Sequence, residues 1–316
     1  MTAAKAAEVR FVLVTGKGGV GKSTVVTALA RAHAKAGRRV LIALCNVKEN
    51  VSKLLGCAPL DWQVRALAPN VWGVNMEPER CVEEYGAMTL HSKTLYSLLF
   101  DNRYVRTFLR AVPGLHEWSM LGKAWWHTTE TREDGAFTYD VVILDAPATG
   151  HGLDMLRVPK VIVDVVPPGI LRRDAEKAWQ LFQDKAKCQV VLVTLPEEMP
   201  TTETLELAGA LQGDLGIPVG RLVVNGVTTP LFSPAERDAL AAAGAATHEE
   251  GTELEEGLRD AAAARAERES QQARQMRRLA DGLGLPTTYL PFLLDGATTP
   301  TSIETLSKRF LDGWLV

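Results

Sequence analysis

The sequence has few cysteines, and none of them is arranged as in a zinc site or a disulfide framework. Its four cysteines are Cys45, Cys57, Cys81 and Cys188, and no two of them form a C-x-x-C pair. This spacing favours a reducing environment, in which isolated cysteines act as small buried hydrophobic residues. We therefore expect a cytoplasmic protein without a structural metal.

Long apolar runs and an excess of positive charge are also missing. The longest apolar candidate, from Val158 to Leu171, is interrupted by Lys160 and Asp164, whereas a membrane-spanning helix needs about 18 or more apolar residues. The alanine-rich start of the chain lacks the apolar core of a signal peptide. The formal net charge of −3 argues against nucleic acid as a partner. We expect no integral membrane segment and no nucleic-acid binding.

Short apolar runs alternate with helical stretches along the 316 residues. A strand at Phe11–Thr15, a helix at Lys22–Ala36 and a strand at Val40–Leu44 form a βαβ unit, which implies a parallel sheet. Further apolar runs occur at Val71–Val74, Val141–Leu144, Val190–Val193, Leu222–Val224 and Thr288–Leu290. The pattern predicts an α/β fold with a doubly wound, mostly parallel sheet, in a single domain over residues 1–316.

Two stretches depart from this alternation. Residues 77–131 contain Trp118, Trp125 and Trp126 outside any predicted strand and are interpreted as a helical insertion subdomain. Its apolar residues are either simple core or a groove for a protein client. Residues 253–283 are rich in Ala, Glu, Gln and Arg with apolar residues near helical spacing, which predicts one long, mostly exposed helix that contributes to the helical region.

The strongest chemical signal is a phosphate-binding loop. Gly16–Thr24 fits G-x-x-x-x-G-K-[ST] between a predicted strand and helix. Lys22 would reach the β- and γ-phosphates, and Ser23 would bind Mg²⁺. The other residues expected to contact ATP here are Gly18, Gly19, Val20, Gly21 and Thr24. The alternative is a glycine-rich turn without a ligand.

A second signal follows the strand Val141–Leu144. Asp145 ends this strand before a Pro/Gly turn that leads to His151. An aspartate at a strand end beside a phosphate loop suits Mg²⁺ binding. His151 could belong to the segment that senses the γ-phosphate, or it could be a packed histidine.

These segments resemble a known family. Gly16–Thr24, with its additional Lys17, resembles the deviant P-loop of a class of dimeric ATPases that includes the arsenite-pump ATPases. The D-A-P-A-T-G-H of residues 145–151 resembles the D-T-A-P-T-G-H of arsenite-pump and tail-anchored-protein-targeting ATPases, and L-R-V-P at 156–159 resembles their L-R-x-P. The chain is therefore similar to ArsA-like ATPases from about Phe11 to Gly296.

The resemblance implies a dimer. Lys17 would cross to the nucleotide of a partner subunit, either a second copy or a homologous ATPase; otherwise it is a solvated surface lysine. Asn225, at a predicted strand end, would pair with the adenine, and a loop at Pro291 and Phe292 would cover it.

One position departs from the family. Where the family has an aspartate that orients the attacking water, this chain has Asn46, and an amide cannot accept the proton of that water. Lys17, Lys22, Asn46 and Asp145 would form the catalytic set. Glu49 could replace the missing acid, or it could be one of a solvated pair with Lys48.

Three functional hypotheses remain open. The first is a slow ATPase whose dimer opens and closes to control a client. The second is a non-hydrolysing regulatory or scaffold subunit that pairs with an active sister ATPase. The third is a partner of a membrane anion pump.

Overall fold

The computed structural model describes residues 9–90, 114–244 and 252–311. Within these ranges the chain forms an eight-stranded sheet. The strands are β1 (Phe11–Thr15), β2 (Val40–Cys45), β3 (Arg65–Ala68), β4 (Val71–Met76), β5 (Val141–Asp145), β6 (Cys188–Thr194), β7 (Val219–Val227) and β8 (Thr287–Pro291). Their order across the sheet is β3-β4-β2-β5-β1-β6-β7-β8.

Every neighbouring pair in this sheet is parallel except β3 with β4. The predicted doubly wound, mostly parallel sheet is thus confirmed. The edge strand β3 was not predicted from the sequence. Arg65 and Ala66 are exposed and only Leu67 is buried, so this strand lacks the continuous apolar run that marks a strand buried on both faces.

Ten α-helices flank the sheet within the described part of the chain. They are α1 (Lys22–Lys35), α2 (Val51–Leu55), α3 (Pro78–Leu90), α4 (Leu115–His127), α5 (Thr149–Val165), α6 (Ile170–Gln183), α7 (Glu198–Gly209), α8 (Pro234–Gly244), α9 (Glu253–Leu283) and α10 (Pro300–Leu311). None of them is long and apolar enough to cross a membrane. They cover both faces, because strand side chains alternate between two hydrophobic cores.

The two cores lie on opposite faces of the sheet. Leu13 and Val142 point toward the core that contains Trp118 of α4 and Phe182 of α6. Their strand neighbours point the other way, toward α1 and α10, where Phe310 is fully buried. Cys45, Cys81 and Cys188 are buried, whereas Cys57 is half-buried. Burial raises the pKa of the Cys81 and Cys188 thiols to about 12.

The stretch expected to be a long helix is helical from Glu253 to Leu283. Thr252 and Glu255 form a capping box at its start, and Gly284 ends it in a left-handed conformation. The helix packs against α7 and α8. Helices α3 and α4 pack on each other within residues 77–131, of which 91–113 lie outside the described residues. The assignment of an insertion subdomain, and of the long helix to it, stays a prediction.

Candidate nucleotide-binding site

The phosphate loop lies between β1 and α1 at the carboxyl edge of the sheet. Its tight curl depends on glycine. A Cβ at Gly16 would lie 2.2 Å from the Val193 carbonyl oxygen, and one at Gly21 would lie 2.4 Å from the Asn225 amide nitrogen. Gly21 is also the N-cap of α1, with φ of 89° and no side-chain cap. The first N–H groups of α1 are therefore available to an anion, as at other helix starts that bind phosphate.

Lys22 lies at the centre of this loop. Its ammonium group donates hydrogen bonds of 3.1 Å to the carbonyl oxygens of Gly16 and Lys17. Burial lowers the pKa of Lys22, while the nearby Asp145 carboxylate acts in the opposite direction. The sequence therefore places one partly desolvated cation inside the loop, where it can bind phosphate oxygens strongly.

Ser23 and Asp145 meet beside the loop, as the sequence predicts for a magnesium site. The Ser23 hydroxyl donates a 2.6 Å hydrogen bond to Oδ2 of Asp145. The parallel register between β1 and β5 positions Asp145 opposite Val14, just before the loop. Burial raises the pKa of Asp145, although the Ser23 hydrogen bond and the Lys22 charge lower it.

The donor set fits Mg²⁺ bound together with a nucleotide. Among residues 9–90, 114–244 and 252–311, no three His, Cys, Asp or Glu side chains gather as a metal cluster. Mg²⁺ usually takes one or two protein ligands together with substrate phosphates and water. A hydroxyl and a carboxylate 2.6 Å apart match this mode of binding.

A cavity of about 380 Å³ opens in front of the loop. Three segments enclose it: the loop with the start of α1, the start of α2, and the loop that precedes α10. Its lining residues are Gly19, Gly21, Lys22, Ser23, Thr24, Asn50, Lys53, Leu54, Gly296, Ala297 and Thr298. Lys53, Ala297 and Thr298 were missed by sequence reasoning, because only the fold brings α2 and the segment after β8 to the loop.

Lys17 lies at the rim of the site. Its ammonium lies 2.7 Å from Oε1 of Glu203 and 2.9 Å from Sδ of Met199, both on α7. In this structure Lys17 thus forms an ion pair within its own chain at a partly exposed position. A role across a subunit boundary stays a prediction.

Asn46 follows β2, and the resemblance alone implies that the family has an aspartate here. Its φ is 50°, a left-handed conformation that asparagine tolerates better than most residues. Asn46 is exposed, and it is not among the residues that line the 380 Å³ cavity. The side chain of Asn75, on β4, holds the backbone of the next residue, Val47. Its amide accepts a hydrogen bond from the Val47 N–H at 3.2 Å and donates one to the Val47 carbonyl at 2.8 Å.

Glu49 has a structural role in this structure. Its carboxylate accepts hydrogen bonds from the Ser52 N–H at 2.9 Å, the Ser52 hydroxyl at 2.6 Å and the Leu60 N–H at 3.0 Å. Partial burial raises the pKa of Glu49, but these hydrogen bonds outweigh it and leave the pKa below its usual value. The interpretation of Glu49 as one of a solvated pair with Lys48 is therefore wrong.

The segment after β5 borders the phosphate loop. A Cβ built on Gly18 would lie 3.9 Å from the Ala148 side chain, so the two loops lie close together. His151, on the first turn of α5, is exposed. The alternative that it is a packed histidine is wrong.

The residues expected near the adenine lie on the other side of the loop. The Asn225 amide donates a 3.0 Å hydrogen bond to the carbonyl of Val20, whose side chain is buried. Pro291 ends β8 beside Val227, and the Phe292 N–H donates to the Val227 carbonyl at 2.8 Å. The Phe292 side chain is 56% exposed, so its ring is accessible.

Comparison with known proteins identifies the family. A family model described as anion-transporting ATPase matches residues 9–167. The ATPase BagA of Mycobacterium tuberculosis is 30% identical over 223 residues, which is 69% of this chain and 65% of BagA. The arsenical pump-driving ATPases of Acidiphilium multivorum and Escherichia coli are 27% and 26% identical over 74% of this chain and 42% of their own length.

The matched stretch thus spans slightly less than two thirds of BagA and less than half of the pump-driving ATPases. The matched part of this chain includes the phosphate loop, Asp145 and the segment up to His151. The chain belongs to the ArsA-like family of anion-transporting ATPases.

Proposed function

We propose that this chain binds ATP with Mg²⁺ at the phosphate loop and acts as a dimeric ATPase whose nucleotide state controls a protein client or partner. The observation that supports this most directly is the Ser23 to Asp145 hydrogen bond of 2.6 Å, immediately beside Lys22 and the uncapped start of α1. These three features together match what a site for ATP with Mg²⁺ requires.

Each group has a distinct role in this proposal. Lys22 exchanges its bonds to the Gly16 and Lys17 carbonyls for bonds to phosphate oxygens. Ser23 and Asp145 hold Mg²⁺, which when bound supplies positive charge to the phosphate oxygens. The N–H groups at the start of α1 bind the remaining phosphate oxygens.

The proposed dimer depends on Lys17. In the family this lysine reaches the nucleotide of the other subunit, which it could do here only after leaving Glu203. The partner is a second copy of this chain or a homologous ATPase subunit. Exchange between the two positions of Lys17 would couple nucleotide binding to association.

Hydrolysis is proposed to be slow. The Asn46 amide can orient a water molecule but cannot take its proton, and loss of such a group typically lowers the rate by about 10²- to 10⁴-fold. Glu49 does not substitute for it, because its carboxylate already accepts three hydrogen bonds around the start of α2.

The engagement of Glu49 also favours a second candidate function. A chain with an intact phosphate site and no available acid could bind ATP permanently and pair with an active sister ATPase as a regulatory or scaffold subunit. Phosphate release at saturating ATP and Mg²⁺ separates the two candidates: slow turnover supports the first, and none supports the second.

Calorimetry tests nucleotide binding. Lys22→Ala should weaken ATP binding about 30- to 150-fold, since a hydrogen bond to a charged group contributes about 2–3 kcal/mol. Lys185→Ala, which removes an exposed lysine between α6 and β6, serves as the control. Equal ATP affinity of wild type and Lys22→Ala would contradict the proposed site.

Single-turnover hydrolysis tests the role of Asn46. We expect Asn46→Asp to raise the rate above that of wild type, and Glu49→Gln to leave it unchanged. Fast wild-type hydrolysis that survives Asn46→Ala would contradict the proposal. Loss of activity in Glu49→Gln alone, with its fold intact, would identify Glu49 as the acid.

A further inference from the structure

Helix α2 forms one wall of the 380 Å³ cavity in front of the phosphate loop. It contributes Lys53 and Leu54 to the lining, together with Asn50 at its start, while Lys22 lines the cavity from the loop side. Among the described residues that line the cavity, only the two lysines carry a charge. The cavity therefore presents two positive charges, one from the phosphate loop and one from α2.

Lys53 lacks the ion-pair partner that its sequence position suggests. Glu49, four residues earlier, is the nearest acid along the chain, and opposite charges at this spacing often pair on a helix. The Glu49 carboxylate instead accepts hydrogen bonds from Ser52 and Leu60. Lys53 is exposed, and its ammonium has no hydrogen-bond or ion-pair partner in the part of the chain that the structure describes. It is thus available to a ligand in the cavity.

Two carboxylates adjoin the lining residues, and both are engaged elsewhere. Asp145 accepts a hydrogen bond from the Ser23 hydroxyl at 2.6 Å. Asp295 accepts from the Ala297 N–H at 3.0 Å and from the Ser302 hydroxyl. Neither carboxylate is among the residues that line the cavity. The lining therefore suits an anion, such as a chain of phosphate groups.

Packing fixes α2 where Lys53 borders the cavity. Val51 is fully buried and Leu54 is 6% exposed, and both belong to the core that includes α1 and α10. A Cβ at Gly56, which ends α2, would lie 3.3 Å from the ring of Pro300 at the start of α10. One side of α2 is thus held against the core, and Lys53 remains exposed beside the cavity.

The polar groups that α2 offers can donate hydrogen bonds to phosphate. An ammonium group has three donors and no acceptor, and the amide of Asn50 has two donors. Asn50 makes no side-chain cap at the start of α2. Phosphate oxygens accept hydrogen bonds, and those from a charged donor are the stronger ones. Lys53 is therefore the main candidate on this wall for contact with a phosphate chain.

We infer that Lys53 is a second phosphate-binding cation, which binds the phosphate chain of the nucleotide from α2 while Lys22 binds it from the loop. This inference rests on the proposed binding of ATP at the phosphate loop. It also gives the bound nucleotide a direct contact with the helix that follows Asn46 and Glu49. Nucleotide binding would thereby stabilise α2.

Calorimetry on the full chain with ATP and with inorganic tripolyphosphate, each with Mg²⁺, tests this contact. Lys53→Ala should weaken the binding of both about 3- to 30-fold, because one charge-assisted hydrogen bond is lost. Lys53→Gln should repeat the loss, and Lys53→Arg should restore most of the affinity. The loss should shrink at high ionic strength. Lys48→Ala is the matched control, since Lys48 is exposed five residues earlier and does not line the cavity.

Hydrogen exchange tests whether the nucleotide stabilises α2. The Leu54 N–H donates to the Asn50 carbonyl at 3.0 Å, so its exchange reports opening of this short helix. Saturating ATP should slow this exchange in wild type and slow it much less in Lys53→Ala. A lysine with only a structural role would change the exchange to the same extent with and without ATP.

Three results would overturn the inference. Lys53→Ala could bind tripolyphosphate as tightly as wild type does, Lys48→Ala could reproduce its loss of affinity, or ATP could slow exchange at Leu54 equally in wild type and Lys53→Ala. Failure of the proposed function is distinguishable, because wild type would then bind neither ATP nor tripolyphosphate. The thermal midpoint of each variant, measured by circular dichroism, shows whether it is folded.

Discussion

The ion pair between Lys17 and Glu203 leads to a quantitative prediction about association. The two groups are 2.7 Å apart, and their side chains are 28% and 32% exposed. A pair this accessible contributes about 0.2–1 kcal/mol. If Lys17 must leave Glu203 to reach a partner subunit, Glu203→Gln should strengthen ATP-dependent dimerisation by about 1.4- to 5-fold.

The assay is analytical ultracentrifugation with a non-hydrolysable ATP analogue. Glu206→Gln, which changes an exposed carboxylate about one turn later on α7, serves as the matched control and should have no effect. Lys17→Ala should weaken dimerisation. Because salt screens exposed charges, the difference between Glu203→Gln and wild type should shrink at high ionic strength. Weaker dimerisation of Glu203→Gln than of wild type would refute the reasoning, since Glu203 would then act in the dimer.

The remaining predictions concern stability and the loops. Burial, and to a lesser extent the Arg38 charge, lower the pKa of His33 in the folded protein to about 3. In the unfolded chain this pKa is about 6.5, so below about pH 6.5 the unfolded state binds more protons than the folded state. The free energy of unfolding should therefore be unaffected by His33 above about pH 6.5 and should fall by up to about 2 kcal/mol by pH 5. Urea denaturation should show a smaller fall for His33→Gln than for wild type. An equal fall in both would show that His33 is not its cause. Asn75→Ala removes both hydrogen bonds to the Val47 backbone and should lower the free energy of unfolding by about 1–3 kcal/mol. Hydrogen exchange at the Val47 amide should become faster, and unchanged exchange would show that Asn75 does not hold this backbone. Gly16→Ala should abolish ATP binding through the backbone clash described above, whereas Gly213→Ala, with no atom near the added Cβ, should bind normally in calorimetry.

Central parts of the fold could be predicted because strands buried on both faces need continuous apolar sequences. Residues 141–145 and 40–45 are buried throughout, and both appear as apolar runs. β3 could not be predicted, since pairing with β4 rather than burial makes it a strand. Both ends of helix α9 could be predicted. Thr252 and Glu255 favour a helix start through local hydrogen bonds, and Gly284 favours a helix end because glycine adopts a positive φ readily.

Some contacts of the candidate site could likewise be predicted from the sequence, and others could not. The proximity of Ser23 and Asp145 could be predicted, because Asp145 ends one strand and Ser23 follows the loop after another strand of the same parallel sheet. The contacts of Lys17 and Asn75 could not, because they join side chains to segments that only the tertiary structure brings near. Asn75 interrupts the apolar pattern of β4, and this was the one available signal that a side chain there bonds a neighbouring loop.

The charges around the phosphate loop bear on the expected rate of hydrolysis. Lys22, Lys17 and Lys53 lie within or at the rim of the phosphate site, against one buried carboxylate, Asp145. Cations stabilise bound phosphate before and during the reaction, so they increase affinity more than rate unless another group activates the water. Asn46 cannot do so by proton transfer, and the carboxylate of Glu49 is occupied at α2. If the proposed function is right, we expect this site to bind ATP tightly and to turn it over slowly.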